Sequence, residues 1–386
     1  MSVTPLQALP IDQLRQRSST KWRSYPPEVL PLFVAETDYE LAPAITEILT
    51  RAVRLGDTGY TPPEPGIREA FVGFAQRRFG WTVDPSRVHW TGDVMMGVVE
   101  ILRRVIAPGD RVVVMTPVYP PFFDTVEEAG GVVERVPLAR TESGWRIDLR
   151  GVEAALAGGA TAVLLCNPHN PTGTAHTHED LAALAELAAR FDATVVSDEI
   201  HGPLAHAGHA FTPFLNVSAT AAEVGYAVTS ASKTFNLAGL KCAVMVAGGP
   251  AQEEVLRSFP AEVEWRTGLF GALANVAAYA PESDAWLDSL LAALGENRAL
   301  LADLLAQHLP RARFLPPDAG FLAWVDVSAY EWGDNPAPTL RREAKVALHH
   351  GPLFGEEGIG HVRINFGCSP DVLREAVERM GALASS

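Results

Sequence analysis

Short apolar runs rich in valine and isoleucine punctuate the chain at residues 111–115, 161–166, 193–197, 226–229 and 243–247. Runs this short and this continuous read as strands buried on both faces. Helical patterns lie between them, and the alternation predicts an α/β protein with a mainly parallel central sheet covered by helices. In the helix predicted over 179–190, Leu181, Leu184, Ala185, Leu187 and Ala188 form one apolar stripe. Thr177 and Asp180 stand three apart at its start, the spacing of a capping box. A longer helical pattern covers 287–309, with Leu287, Leu290, Leu291 and Leu294 and then Leu301, Leu304 and Leu305; Gly295 interrupts it and Pro310 stops it. This pattern is expected to bridge into a smaller α+β domain with strands at 320–327 and 361–366. The large domain is expected over 40–280 and the small one over 1–39 together with 281–386.

A chain of 386 residues, 47% hydrophobic and 20% charged, has room for two cored domains. Its net charge of -15 repels phosphate backbones and anionic lipid, so neither nucleic acid nor a membrane surface is an expected partner. No apolar run has the length of a membrane span. The opening residues, Met1 to Thr4 followed by Pro5 and Pro10, lack the basic-then-apolar layout of a secretion signal. Three scattered cysteines, Cys166, Cys242 and Cys368, argue against a disulfide framework, and a reducing cytoplasm is the expected setting. No glycine-rich dinucleotide signature is present, so nicotinamide chemistry is not expected.

Ligands of open α/β sheets bind beyond the carboxyl ends of the strands. There this sequence places Asn-Pro-His-Asn-Pro-Thr-Gly (167–173), Asp-Glu-Ile-His (198–201) and Ser-Ala-Ser-Lys (230–233). Amide, carboxylate, imidazole, hydroxyl and amine thus converge on one sheet edge. A lysine considered alone is a solvated cation by default. With Asp198 ending the preceding run and Ser230 three residues before it, Lys233 reads instead as an amine for Schiff-base chemistry, beside a carboxylate able to keep a pyridine nitrogen protonated. The stretch 89–96 reads as strand, glycine turn and helix start, so amides around Gly92, Asp93 and Val94 could seat a phosphate dianion. Asp93 would oppose that charge unless it points away or caps the helix. Ser230 and Lys241 are candidates to complete the cup. His201, His206 and His209, near Asp198 and Glu199, raise a rival metal site, but they lack a recognised ligand spacing and no metal is expected.

These residues resemble the class I and II aminotransferase family of fold-type I pyridoxal-phosphate enzymes, from about Phe33 to Met380. The resemblance implies a large domain with a mainly parallel sheet plus a smaller α+β domain, and pyridoxal 5'-phosphate as cofactor. Asn170 to Gly173 is similar to the motif whose asparagine donates to the cofactor's ring hydroxyl. Asp198 resembles the carboxylate paired with the pyridine nitrogen, and Lys233 the Schiff-base lysine. Tyr119 stands where the family places a ring stacked on the cofactor. Tyr60 resembles the tyrosine that reaches the neighbouring subunit's phosphate, which implies a homodimer with shared sites. Arg363 resembles the arginine that grips the substrate's α-carboxylate, with Asn170 and Tyr119 as further substrate contacts.

Two positions depart from the family pattern. His201 replaces the common tyrosine three residues after the aspartate, and Lys241 replaces the arginine eight residues after the lysine. The strings 33–39, 119–123, 197–201 and 232–240 are similar instead to the carbon–sulfur β-lyase branch, cystathionine β-lyases of the MalY and PatB type. That branch implies cleavage of L-cystathionine or related cysteine S-conjugates to pyruvate, ammonia and a thiol. An aminotransferase is the alternative, since it shares the cofactor site. A binding protein that keeps the fold without the chemistry is a third reading.

Overall fold

The computed structural model describes residues 3–141 and 144–385. Its main sheet contains β1 (Val88–Thr91), β2 (Arg111–Thr116), β3 (Val132–Pro137), β4 (Ala160–Cys166), β5 (Thr194–Asp198), β6 (Gly225–Thr229) and β7 (Ala243–Ala247). Their order is β1-β7-β6-β5-β4-β2-β3. Neighbours from β3 to β6 pair in parallel, while β7 runs antiparallel to both β6 and β1. The five apolar runs are therefore strands of one sheet. Alternate residues serve opposite faces: Val112, Val114, Leu164 and Val228 pack in one core cluster, and Val113, Met115, Val163 and Ala227 in the other. Burial on both faces is why these strands read as unbroken apolar runs.

The helix α1 (Val94–Val105) follows β1, and α2 (His178–Arg190) lies between β4 and β5. The capping box at α2 forms only by half. Thr177 Oγ1 accepts from the Asp180 amide at 3.1 Å, but the Asp180 carboxylate turns to Arg146, accepting from Nε and Nη2 at 2.9 and 2.7 Å. The long helix α3 (Asp284–His308) runs without interruption through Gly295, contrary to the predicted break. A glycine costs such a helix only about 1 kcal/mol. Burial of Leu287, Leu290, Leu294, Leu301, Leu304 and Leu305 outweighs that. Asn297 Nδ2 also ties α3 to the C-terminal segment, donating to the carbonyls of Phe366 and Cys368 at 2.9 and 2.7 Å.

A second, antiparallel sheet is built from β8 (Arg313–Phe314), β9 (Leu322–Asp326), β10 (His349–His350) and β11 (His361–Asn365), in the order β8-β9-β11-β10. Leu30–Pro31 pairs in parallel with Val346–Ala347, so the N-terminal segment joins this C-terminal part. No helix among the described residues is long and apolar enough to cross a membrane.

Candidate active site

In the main sheet Cys166 is paired with Asp198, and Asp198 with Val228, so the turns that follow β4, β5 and β6 emerge side by side. They open on a pocket of about 530 Å³. Gly92, Asp93, Val94, Tyr119, Asn170, Asp198, His201, Ser230, Lys233, Lys241 and Arg363 all line it. Tyr60 does not; it is fully exposed at the surface of the chain.

Lys233 is half-buried, and its amine donates to the Ala35 carbonyl at 3.1 Å. Burial lowers its pKa to about 8, and the positive charge of Arg363 acts in the same direction, against the pull of Glu36 and Asp198. Asp198 lies at the buried end of β5. Its Oδ1 accepts from the Ile200 amide at 3.0 Å, and no partner holds its other oxygen among the described residues. Burial pushes this carboxyl up to about 7, opposed by the Ile200 amide and Lys233.

Arg363 is buried on β11. Its Nη1 donates to Asn170 Oδ1 at 3.0 Å and its Nη2 to the Phe33 carbonyl at 3.2 Å, while Nε is buried without a partner. Burial lowers its pKa to about 10. No carboxylate pairs with it among the described residues, although burying a cation without an anion is costly. The Asn170 amide nitrogen beside it has no hydrogen-bond partner among the described residues. His201 packs edge-on against Phe321 at 6.2 Å, and burial, with Lys233 and Arg363 nearby, lowers its pKa to about 3, so it is neutral at physiological pH. Burial dominates the upward shift of the Tyr119 hydroxyl.

At the other end of the pocket Asp93 caps α1, its Oδ1 accepting from the Met96 amide at 2.9 Å, and its Oδ2 pairs with Lys241 Nζ at 2.8 Å. The carboxylate is thereby turned to the helix and neutralised. Ser230 Oγ donates to the Cys242 carbonyl at 2.6 Å. Ser230 can therefore reach an anion in this cup only by releasing its present acceptor, whereas the Lys241 ammonium has donors to spare beside Asp93. Gly92 allows a close approach, since a Cβ there would lie 3.2 Å from the Arg266 carbonyl oxygen.

The remaining polar residues of these turns are occupied elsewhere. Glu199 Oε1 accepts from the Phe214 amide at 2.7 Å, Ser197 Oγ at 3.0 Å and Asn167 Nδ2 at 3.4 Å. His206 bonds to the Gly320 carbonyl at 2.8 Å, and His209 pairs with Asp318 at 2.9 Å. Among the described residues no group of three or more histidines, cysteines or acids is placed to hold a metal ion. Gly173 has a φ of +69°, and a Cβ on it would lie 2.2 Å from Pro317 Cβ. Gly173→Ala is expected to lower stability by about 2–3 kcal/mol, read from the urea midpoint, because strain and overlap add at one position.

Sequence reasoning had not placed the wall formed by Phe33, Val34 and Ala35, nor Ser232 and His349, in the pocket. The wall is held by groups distant in sequence. Asn365 Nδ2 donates to the Val34 and Glu36 carbonyls at 2.6 and 2.7 Å. Asn236 exchanges two bonds with the Thr37 backbone, each 3.1 Å. Below it Lys21 and Asp38 form a buried ion pair at 2.8 Å. The resemblance of 33–39 to a family string was a signal for the wall; His349, on a two-residue strand, had none.

The family model for class I and II aminotransferases matches residues 29–380. A Mycobacterium leprae protein that carries the provisional name cystathionine beta-lyase is 43% identical over 99% of this chain and 98% of its own. Cystathionine beta-lyase PatB of Bacillus subtilis is 35% identical over 93% of each chain. Among solved structures, cystalysin from Treponema denticola, which contains pyridoxal 5'-phosphate, is similar at a TM-score of 0.90 with 25% identity, over 99% of this chain and 98% of that one. On the sequence match and the shared fold-type I architecture together, this chain belongs to the class I and II aminotransferase family.

Proposed function

We propose that this chain is a pyridoxal-5'-phosphate-dependent carbon–sulfur β-lyase that cleaves L-cystathionine or related cysteine S-conjugates to pyruvate, ammonia and a thiol. One observation carries the reading: a half-buried lysine of lowered pKa lies in the same pocket as a buried carboxylate and a buried arginine that has no carboxylate of its own. The residues fit the cofactor. Asp198 has an unheld oxygen for a pyridine nitrogen, and the first amides of α1, at Val94 and Met95, line the pocket for a phosphate. When bound, the cofactor supplies an electron sink for the pair left on the substrate's α carbon.

Lys233 would hold the cofactor covalently, and its amine, with a pKa lowered to about 8, would be the base for the α proton once released. Asp198, brought opposite a positive charge, ionises and keeps it in place. Arg363 and the Asn170 amide fix the α-carboxylate and so choose which bond to the α carbon is aligned. Tyr119 would support the ring face, His201 stays a neutral neighbour, and Ser230 and Lys241 would hold the phosphate. Full exposure of Tyr60 suits a side chain offered to the second subunit of a cytoplasmic homodimer. We assign 40–280 to the cofactor domain, and 1–39 with 281–386 to the smaller one; the two separate sheets support that division.

The pocket would equally serve an aminotransferase up to the loss of the α proton. Purified holoenzyme mixed with L-cystathionine, with no keto acid added, is expected to release pyruvate and free thiol in equal amounts. Amino transfer only after a keto acid is supplied would overturn β-elimination and leave the cofactor assignment standing.

A further inference from the structure

A histidine stands on the pocket wall beside Arg363. His349 of β10 is the ladder partner of Arg363 on β11, so the two side chains leave the same face of the sheet as nearest neighbours. Both rest on Phe354: the imidazole meets it edge-on at 4.9 Å, and the guanidinium lies 5.1 Å from its centroid. The imidazole Nδ1 is buried without a hydrogen-bond partner of ordinary geometry and Nε2 makes no hydrogen bond among the described residues; the His350 backbone acts on the ring in favour of its protonated form, against burial and Arg363. Burial and the charge of Arg363 hold it neutral, with a pKa of about 3. A neutral imidazole keeps one N–H to donate.

Arg363 has already given one N–H to Asn170 and one to Phe33, and its Nε is unpartnered. Arg363 Nε and an imidazole nitrogen of His349 therefore stand unpartnered on one wall, where a ligand could bring an acceptor to both residues. Cβ atoms of directly opposed ladder residues are about 5 Å apart, a span that one carboxylate can bridge. A neutral donor adds a hydrogen bond there without repelling the guanidinium.

We propose that His349 is a second carboxylate-binding residue, donating an N–H to the α-carboxylate that Arg363 holds and so favouring amino acids over plain amines. The proposal rests on the cofactor reading above. Its test is a titration of holoenzyme with L-alanine, which has no leaving group on the β carbon, and with ethylamine, which has no carboxylate, both followed by the absorbance of the bound cofactor. His349→Phe keeps a ring against Phe354 but removes both nitrogens; His349→Gln restores an N–H near the Nε2 position. Loss of a hydrogen bond to a charged group should weaken L-alanine binding by His349→Phe about 10-fold or more, leave ethylamine within about twofold, and be largely reversed in His349→Gln. With L-cystathionine the loss should appear mainly in KM. Wild-type affinity of His349→Phe for L-alanine, or equal losses for both ligands, would overturn the role of His349 alone. A wild-type holoenzyme whose absorbance ignores L-alanine would overturn the functional reading and this role together.

Discussion

Lys233→Ala is expected to lower turnover of L-cystathionine by about 10⁴-fold or more, because one side chain is asked both to anchor the cofactor and to move the α proton. The same change should abolish the covalent cofactor mass that intact-protein spectrometry detects after borohydride reduction. Folding should be nearly unaffected. Ala35 loses the amine that bonds to its carbonyl, at about 1–2 kcal/mol, but the pocket no longer has to bury that amine. Lys233→Arg separates charge from chemistry, since a guanidinium keeps a cation there but stays protonated and cannot act as the base. A Lys233→Ala protein that turned over cystathionine at near the wild-type rate would sink the assignment.

The largest loss of stability is expected from Lys21→Met. Its ammonium and the Asp38 carboxylate are 2.8 Å apart with each side chain 1% exposed, so removing the cation strands a carboxylate in the interior, at about 3–5 kcal/mol. Arg17 acts on Asp38 from a distance but bonds to the Thr37 and Tyr39 carbonyls. Even with Lys21 present, burial holds the Asp38 carboxyl above its ordinary value; without Lys21 it rises further. A carboxyl raised on folding gives stability that is fully present below its unfolded pKa and lost as pH rises through its folded pKa. The deficit of Lys21→Met should therefore be greatest near pH 8 and shrink toward pH 5, as measured by urea unfolding at both. Lys21→Met combined with Asp38→Leu should recover much of the loss at either pH. Equal stability of Lys21→Met and wild type at both values would show that the pair contributes nothing.

Much of this was legible because the main sheet is buried on both faces. A strand such as Thr194–Asp198 has no solvent side to dilute its apolar run, and its closing carboxylate, Asp198, marks the place where the chain turns into the pocket. The edge strand Val132–Pro137 went unread because Glu134, Arg135 and Pro137 suit an edge that faces water. Gly295 misled because glycine weakens a helix by far less than a long buried leucine face strengthens it. In the site, Asn170 and Lys233 follow strands of the main sheet and Asp198 ends one, so all three were found by position. Arg363 could be suspected because a buried strand has few other reasons to carry a guanidinium. His349 and the Phe33–Ala35 wall could not be read in this way, since their place depends on ladder register and on bonds across more than three hundred residues.

Those bonds also fix when the pocket comes into being during synthesis. Phe33 is held by Arg363, and Val34 and Glu36 by Asn365, so the wall near the start of the chain waits for a strand near its end. The main sheet can pair as soon as Ala247 has emerged, because all seven strands are then available. The pocket cannot close until Asn365 has followed, and contacts this distant in sequence are the slow ones to form. A nascent chain halted between these points would carry a finished sheet and an open, polar-lined hollow.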